Sequence, residues 1–134
     1  AGAFTGEEME LSYRHSAYSD RDMVITGATF GLHRGDLDEI RAKMDDYMSR
    51  RRSKQPLELP NAGSTFKRPQ GNYASALVDQ CGLKGLQVGG AMVSKKHAGF
   101  VVNVGDATCA DVLELIRLIQ QTGYRLEREI RLIG

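Results

Sequence analysis

The stretch TCADVLELIRLIQQTGY at 108–124 restricts the fold more than any other part of the sequence. Thr108 stands where an N-cap is needed, and Asp111 holds the capping-box position three residues on. Val112, Leu115, Ile116 and Ile119 then recur at spacings of three and four, so one stripe of the helix is apolar and the rest is polar. Such a helix must lay its stripe on something. Just upstream, LQVGGAMVS (86–94) and GFVVNVG (99–105) are short runs rich in β-branched residues, each of strand length. A single-stripe helix on short strands makes a two-layer structure.

The rest of the chain extends this pattern. MVITGATFGL (23–32) reads as a buried strand, with Gly27 marking a bulge or a close approach. GDLDEIRAKMDDYMSRRRSK (35–54) reads as a helix capped by Asp36, with Glu39 as reciprocal partner and a stripe of Leu37, Ile40, Met44, Tyr47 and Met48. Cations at Arg50, Arg51, Arg52 and Lys54 suit its C-terminal end, and the prolines of QPLELP stop it. NYASALVDQCGLKG reads as a short helix with Tyr73, Leu77 and Cys81 on one side and Gly82 as its stop. RLEREIRLIG (125–134) alternates as a strand would, with Leu126, Arg128, Ile130 and Leu132 on one face and Glu127, Glu129 and Arg131 on the other. The fold class expected is α+β: a two-layer sandwich with a small, mostly antiparallel or mixed sheet and helices on one face.

Charge narrows the partners. Among 134 residues, 18 basic side chains nearly balance 17 acidic ones, for a net charge of +1, so recognition by charge has to be local. The basic run SRRRSK (49–54) comes without an aromatic RNA-binding strand or a GxxG clamp, which argues against nucleic acid. No apolar run approaches the ~18 residues of a membrane helix, and the start AGAFTGEEMEL has no signal-peptide pattern. His15, His33 and His97 are scattered, and no metal-ligand spacing is present. Cys81 and Cys109 fall in apolar helical patterns, so both are expected to be buried, reduced thiols, which fits a cytoplasmic compartment.

Four motifs can carry chemistry. In NAGSTFKRP (61–69), glycine lets backbone N–H groups gather round an anion, Lys67 and Arg68 add charge, and Ser64 offers a hydroxyl. The same letters also describe a capped turn with two solvated cations. In YRHS (13–16), Arg14 can grip a carboxylate and His15 can act as a base, or both can line an exposed edge. In the last strand Glu129 and Arg131 share a face, buried against a site or open to water. SKKHAGF (94–100) places Lys95, Lys96 and His97 where they can meet a phosphate or simply water.

The order of these motifs is more specific than any one of them. From Ser12 to the C-terminus, YRHS, QPLELPNAGSTFKRP, CGLKG, VGGAMVSKKHAGF and LEREIRLIG succeed one another as in the C-terminal part of the UDP-N-acetylenolpyruvoylglucosamine reductase family. These are the flavoenzymes, also called UDP-N-acetylmuramate dehydrogenases, of bacterial peptidoglycan synthesis. The chain resembles the branch that lacks an extra insertion in the substrate domain.

The resemblance implies FAD and NADPH as cofactors and a UDP-sugar as substrate. It implies hydride transfer to an enolpyruvyl double bond, followed by protonation of the neighbouring carbon. Ser64 takes the place of the proton-donating serine, Arg14 that of the active-site arginine and Glu129 that of the active-site glutamate. Lys54 aligns with a substrate-contacting lysine. Lys67 and Arg68 lie beside Ser64 and are expected to contact the anionic substrate, with Arg68 standing where other members have an asparagine. His97 and Arg131 are added as substrate contacts from their own motifs.

Residues 1–20 resemble a shortened connection from the flavin-binding region, and 21–134 the substrate domain. The chain is therefore expected to lack most of the flavin-binding fold and to be inactive alone. The alternative is a non-catalytic UDP-sugar-binding domain.

Overall fold

A computed structural model describes residues 2–133. Ala1 and Gly134, the ends of the expected AGAFTGE segment and of the expected last strand, lie outside the described residues. The chain divides into two compact units between Gly35 and Asp36.

The first unit is built from turns. Ser12 and His15 exchange backbone hydrogen bonds of 3.1 and 3.2 Å, closing a tight turn over Tyr13 and Arg14. Arg14 sits in the left-handed region at φ +57°, and its guanidinium lies 5.3 Å from the Tyr13 ring centroid. Phe4 meets Tyr18 edge-on at 5.9 Å.

The strand expected at 23–32 is not formed: this segment is irregular, with Val24 86% and Phe30 78% exposed. A β-branched run becomes a strand only where a neighbour pairs with its N–H and C=O groups, and no ladder reaches it among the described residues.

The second unit holds the regular structure: helix α1 (Leu37–Lys54), strand β1 (Asn61–Ser64), helix α2 (Ala74–Gln80), strands β2 (Gln87–Val88), β3 (Ala91–Val93) and β4 (Phe100–Asn103), and helix α3 (Cys109–Gln120). The strands form one antiparallel sheet in the order β1-β4-β3-β2. This is the expected α+β fold, with α3 packed on β2 and β3.

The run 86–94, expected as one strand, is a hairpin. Val88 pairs with Ala91 across Gly89 and Gly90. Gly90 is required by space, because a Cβ there would lie 1.9 Å from the Gly105 carbonyl oxygen and 2.4 Å from the Ala107 nitrogen.

The core joins α2, α3 and the sheet. Ala74, Leu77 and Val78 from α2 and Leu115, Ile116 and Ile119 from α3 pack with Ala91, Val93, Val101 and Phe66. At α3 the expected capping box is present in full. The Thr108 hydroxyl accepts from the Asp111 N–H at 3.1 Å, and the Asp111 carboxylate accepts from the Thr108 N–H at 2.9 Å.

At α1 Asp36 is the N-cap as expected, accepting from the Asp38 and Glu39 N–H groups, but the reciprocal bond expected from the Glu39 side chain is not found among the described residues. Nor is the stripe as expected: no residue of α1 is buried, and Leu37, Met44 and Tyr47 face water. Two further expectations are corrected. Cys109 is exposed and Cys81 only half-buried, because Cys109 opens α3 rather than lying on its stripe. Tyr73 is exposed, being the N-cap of α2 rather than part of its buried side.

Candidate functional site

β1 carries the serine motif on the edge of the sheet. Its register against β4 shifts between Asn61, opposite Val102, and Ser64, opposite Phe100. Gly63, at φ +83°, lies between them and adopts the left-handed conformation that the irregularity needs. The Asn61 side chain steadies the turn, accepting from the Gly63 N–H at 3.0 Å and donating to the Pro56 and Leu59 carbonyls. The result is an exposed Ser64 at the end of a strand whose next residue is locked in place.

That next residue is Thr65, 2% exposed. Its N–H donates to the Gly99 carbonyl at 2.9 Å, its hydroxyl oxygen accepts from the Val101 N–H at 3.1 Å, and its carbonyl accepts from the Glu129 N–H at 2.9 Å. All polar parts of a buried threonine are thus engaged, as burial requires.

The C-terminal segment reaches the motif through this residue. The Lys67 N–H donates to the Glu127 carbonyl at 2.8 Å, matching the Glu129-to-Thr65 bond, with Phe66 and Arg128 bridged between them. In antiparallel pairing this pattern puts Lys67 opposite Glu127 and Thr65 opposite Glu129. The expected alternation in burial is only partly kept: Leu126 is buried and Ile130 packs on the core, but Arg128 and Leu132 of the same expected face are exposed. The expected strand is reduced to this one bridge. Glu129 is half-buried and its Oε2 is shut off from solvent.

The cations behave differently from one another. Lys67 forms an ion pair with Glu127. The Arg68 guanidinium lies 4.0 Å from the Tyr73 ring centroid, a cation–π stack that orders an exposed arginine. Lys54 ends α1 and is exposed, as is Arg131.

His97 is half-buried. Its Nδ1 accepts from the Gly99 N–H at 3.1 Å, its ring meets Phe100 edge-on at 4.9 Å, and its own N–H donates to Ser94 Oγ at 3.2 Å. These bonds make His97 part of the turn whose Gly99 carbonyl receives Thr65. Beside β1 lies a largely apolar groove of about 230 Å³, lined by Asn61, Thr65, Asn103, Cys109, Val112 and Ile130 among others.

Of the residues expected at a site, Lys67 and Glu129 therefore lie on one short ladder that starts at the residue after Ser64, with Arg68 next in chain and His97 linked through Gly99. Arg14 belongs to the first unit. Two participants were not singled out in the sequence: Thr65 and Glu127. Glu127 was legible as the same-face neighbour of Glu129, two residues away. Thr65 had no signal, since its role depends on contacts with distant residues.

The fold and site define an antiparallel α+β domain with a glycine-shaped edge strand, locked to its C-terminal segment. Residues 55–133 match the family model described as UDP-N-acetylenolpyruvoylglucosamine reductase, C-terminal domain, and the chain belongs to that family. It is 50% identical over 135 residues to the UDP-N-acetylenolpyruvoylglucosamine reductase of Limosilactobacillus reuteri, with 97% of this chain and 45% of that protein covered. It is 48% identical over 133 residues to the reductase of Clostridium novyi, covering 96% of this chain and 43% of that protein.

Among solved structures it resembles the UDP-N-acetylenolpyruvylglucosamine reductase (MurB) of Thermus caldophilus. The TM-score is 0.80 and the identity 34%, over 98% of this chain and 48% of that one. The chain spans about half the length of the curated relatives it matches.

Proposed function

We propose that this chain forms the substrate-handling and proton-delivering part of a reductase acting on UDP-N-acetylenolpyruvoylglucosamine, in the cytoplasmic stage of peptidoglycan synthesis. The observation that carries this reading is the 2.9 Å bond from the Glu129 N–H to the carbonyl of Thr65, the neighbour of Ser64. It ties the segment of the expected glutamate to the strand of the expected proton donor, in a chain that belongs to the reductase family.

The chemistry follows from the substrate. Adding hydride to one carbon of an enolpyruvyl double bond leaves negative charge on the other carbon, delocalised into the carboxylate. That carbon is basic enough to take a proton from a hydroxyl held within hydrogen-bond reach, although serine is a weak acid in water. Ser64, exposed at the end of β1, is the donor. Arg14 keeps the role of the family's active-site arginine in this reading, as a cation for the developing carboxylate charge. Glu129, half-buried, takes the place of the family's active-site glutamate, and Lys54, Arg68, His97 and Arg131 contact the anionic parts of the substrate.

FAD and NADPH belong to the whole reductase in this reading. Pockets for drug-sized ligands run to ~300–1,000 Å³, and FAD is larger than most such ligands. The groove beside β1, at about 230 Å³, does not fit it. The chain spans about half the length of its reductase relatives, and the part assigned to it in this reading is the substrate and proton side. Titration calorimetry of the chain with UDP-N-acetylenolpyruvoylglucosamine tests this: saturable heat is expected, and none at millimolar ligand would sink the reading.

A further inference from the structure

We propose that Lys67 and Glu127 form a positioning pair, holding the C-terminal segment in register with the Ser64 strand and so setting where Glu129 stands relative to Ser64. This rests on the function proposed above and gives Lys67, expected from the sequence to contact the substrate, a role through its neighbours instead. The two residues lie 60 apart in sequence, yet they are joined twice, by the Lys67 N–H to the Glu127 carbonyl at 2.8 Å and by an ion pair between their side chains.

The ladder here is minimal. It consists of the Lys67–Glu127 bond, the Glu129–Thr65 bond and the single Phe66–Arg128 bridge between them. A bridge this short is weakly specified, and a one-residue slip would turn the Glu129 side chain to the opposite face. An opposite-charge pair facing across the strands resists that slip, because the slipped register separates the charges. Gln120 supports the same segment from α3, donating to the Leu126 carbonyl at 2.8 Å. That bond holds Leu126 but does not reach Glu129, which is joined to Thr65.

The test uses the chain itself, with amide hydrogen exchange by NMR and titration with UDP-N-acetylenolpyruvoylglucosamine. Lys67→Met and Glu127→Gln are each expected to speed exchange at the Lys67 and Glu129 amides about twofold to fivefold, the range open to an exposed ion pair. The Val93 amide, bonded to the Leu86 carbonyl, serves as control and is expected to stay unchanged. The double reversal, Lys67→Glu with Glu127→Lys, is expected to restore both slow exchange and ligand affinity.

Unchanged exchange at both amides in the single variants overturns the proposal. So does a reversal that restores exchange but not affinity, since Lys67 then touches the ligand directly. If exchange follows the pair while the wild-type chain takes up no UDP-sugar, the pair's role in register stands and the proposed function falls.

Discussion

The Glu129 N–H reaches the carbonyl of Thr65 at 2.9 Å, so a residue four places from the C-terminal end of the described residues is fixed to the neighbour of Ser64. Two side chains far apart in sequence thereby become local to each other, and their relation is set by backbone geometry rather than by long, mobile side chains.

If Ser64 delivers the proton, removing its hydroxyl should remove that step and little else. In a full-length reductase containing this domain, Ser64→Ala is expected to slow substrate turnover by roughly 10²–10⁴, the usual worth of a positioned proton donor. Calorimetric affinity for the UDP-sugar should stay close to that of wild type, because Ser64 lies at the exposed end of β1 and holds none of the core. An equal loss of affinity and turnover would make Ser64 a binding residue instead.

The glycines of the site separate backbone strain from lack of space. Gly63 has φ +83° with nothing near its missing Cβ, so Gly63→Ala should cost only the left-handed penalty of about 1–2 kcal/mol. Gly90 faces backbone atoms at 1.9 and 2.4 Å, so Gly90→Ala must push the 105–107 turn away and should cost more. Urea unfolding of the two variants checks the order, and a larger loss at Gly63 would contradict it.

The elements legible in the sequence are those whose signals are local. The capping box of Thr108 and Asp111, the stripe of α3 and the β-branched run of β4 need only neighbours in the chain, and all are found where the pattern put them. The segment 23–32 and the stripe of α1 were misread because apolar residues show a capacity for burial, and burial itself depends on what lies across from them. The hairpin at Gly89 and Gly90 was hidden inside an apolar run, where glycine can mean either a bulge or a turn. At the site, Ser64 and Glu129 were legible through the order of motifs. Thr65 was not, and Glu127 only as the same-face neighbour of Glu129, since their partners lie 34 to 64 residues away and nothing in the chain sets that pairing in advance.

Leu115 is fully buried where α3 meets the sheet. Leu115→Ala is expected to destabilise the chain by about 2–5 kcal/mol through lost transfer energy and the cavity left behind. Met44→Ala on the exposed face of α1 should change stability by less than about 0.5 kcal/mol. Chemical denaturation of both variants gives the comparison, and similar losses would mean that α1 is covered in solution.

The start of α3 makes a pH-dependent contribution whose sign can be worked out. The Asp111 carboxyl is held below its ordinary range first by the hydrogen bond from the Thr108 N–H and then by the Thr108 side chain. A carboxyl whose pKa is lower in the folded than in the unfolded chain binds its proton less readily when folded. Its stabilising contribution is therefore complete above the unfolded value, near 3.9, and is lost as pH falls through the lower folded value. Asp111→Asn should flatten this part of the stability profile between about pH 4 and pH 2 while keeping α3 helical. Thr108→Ala should remove the hydroxyl cap at all pH values, at about 0.5–2 kcal/mol. Thermal melts of the three proteins from pH 2 to pH 7 distinguish the cases. A wild-type and Asp111→Asn pair with parallel acid profiles would show that the cap bond does not carry the linkage.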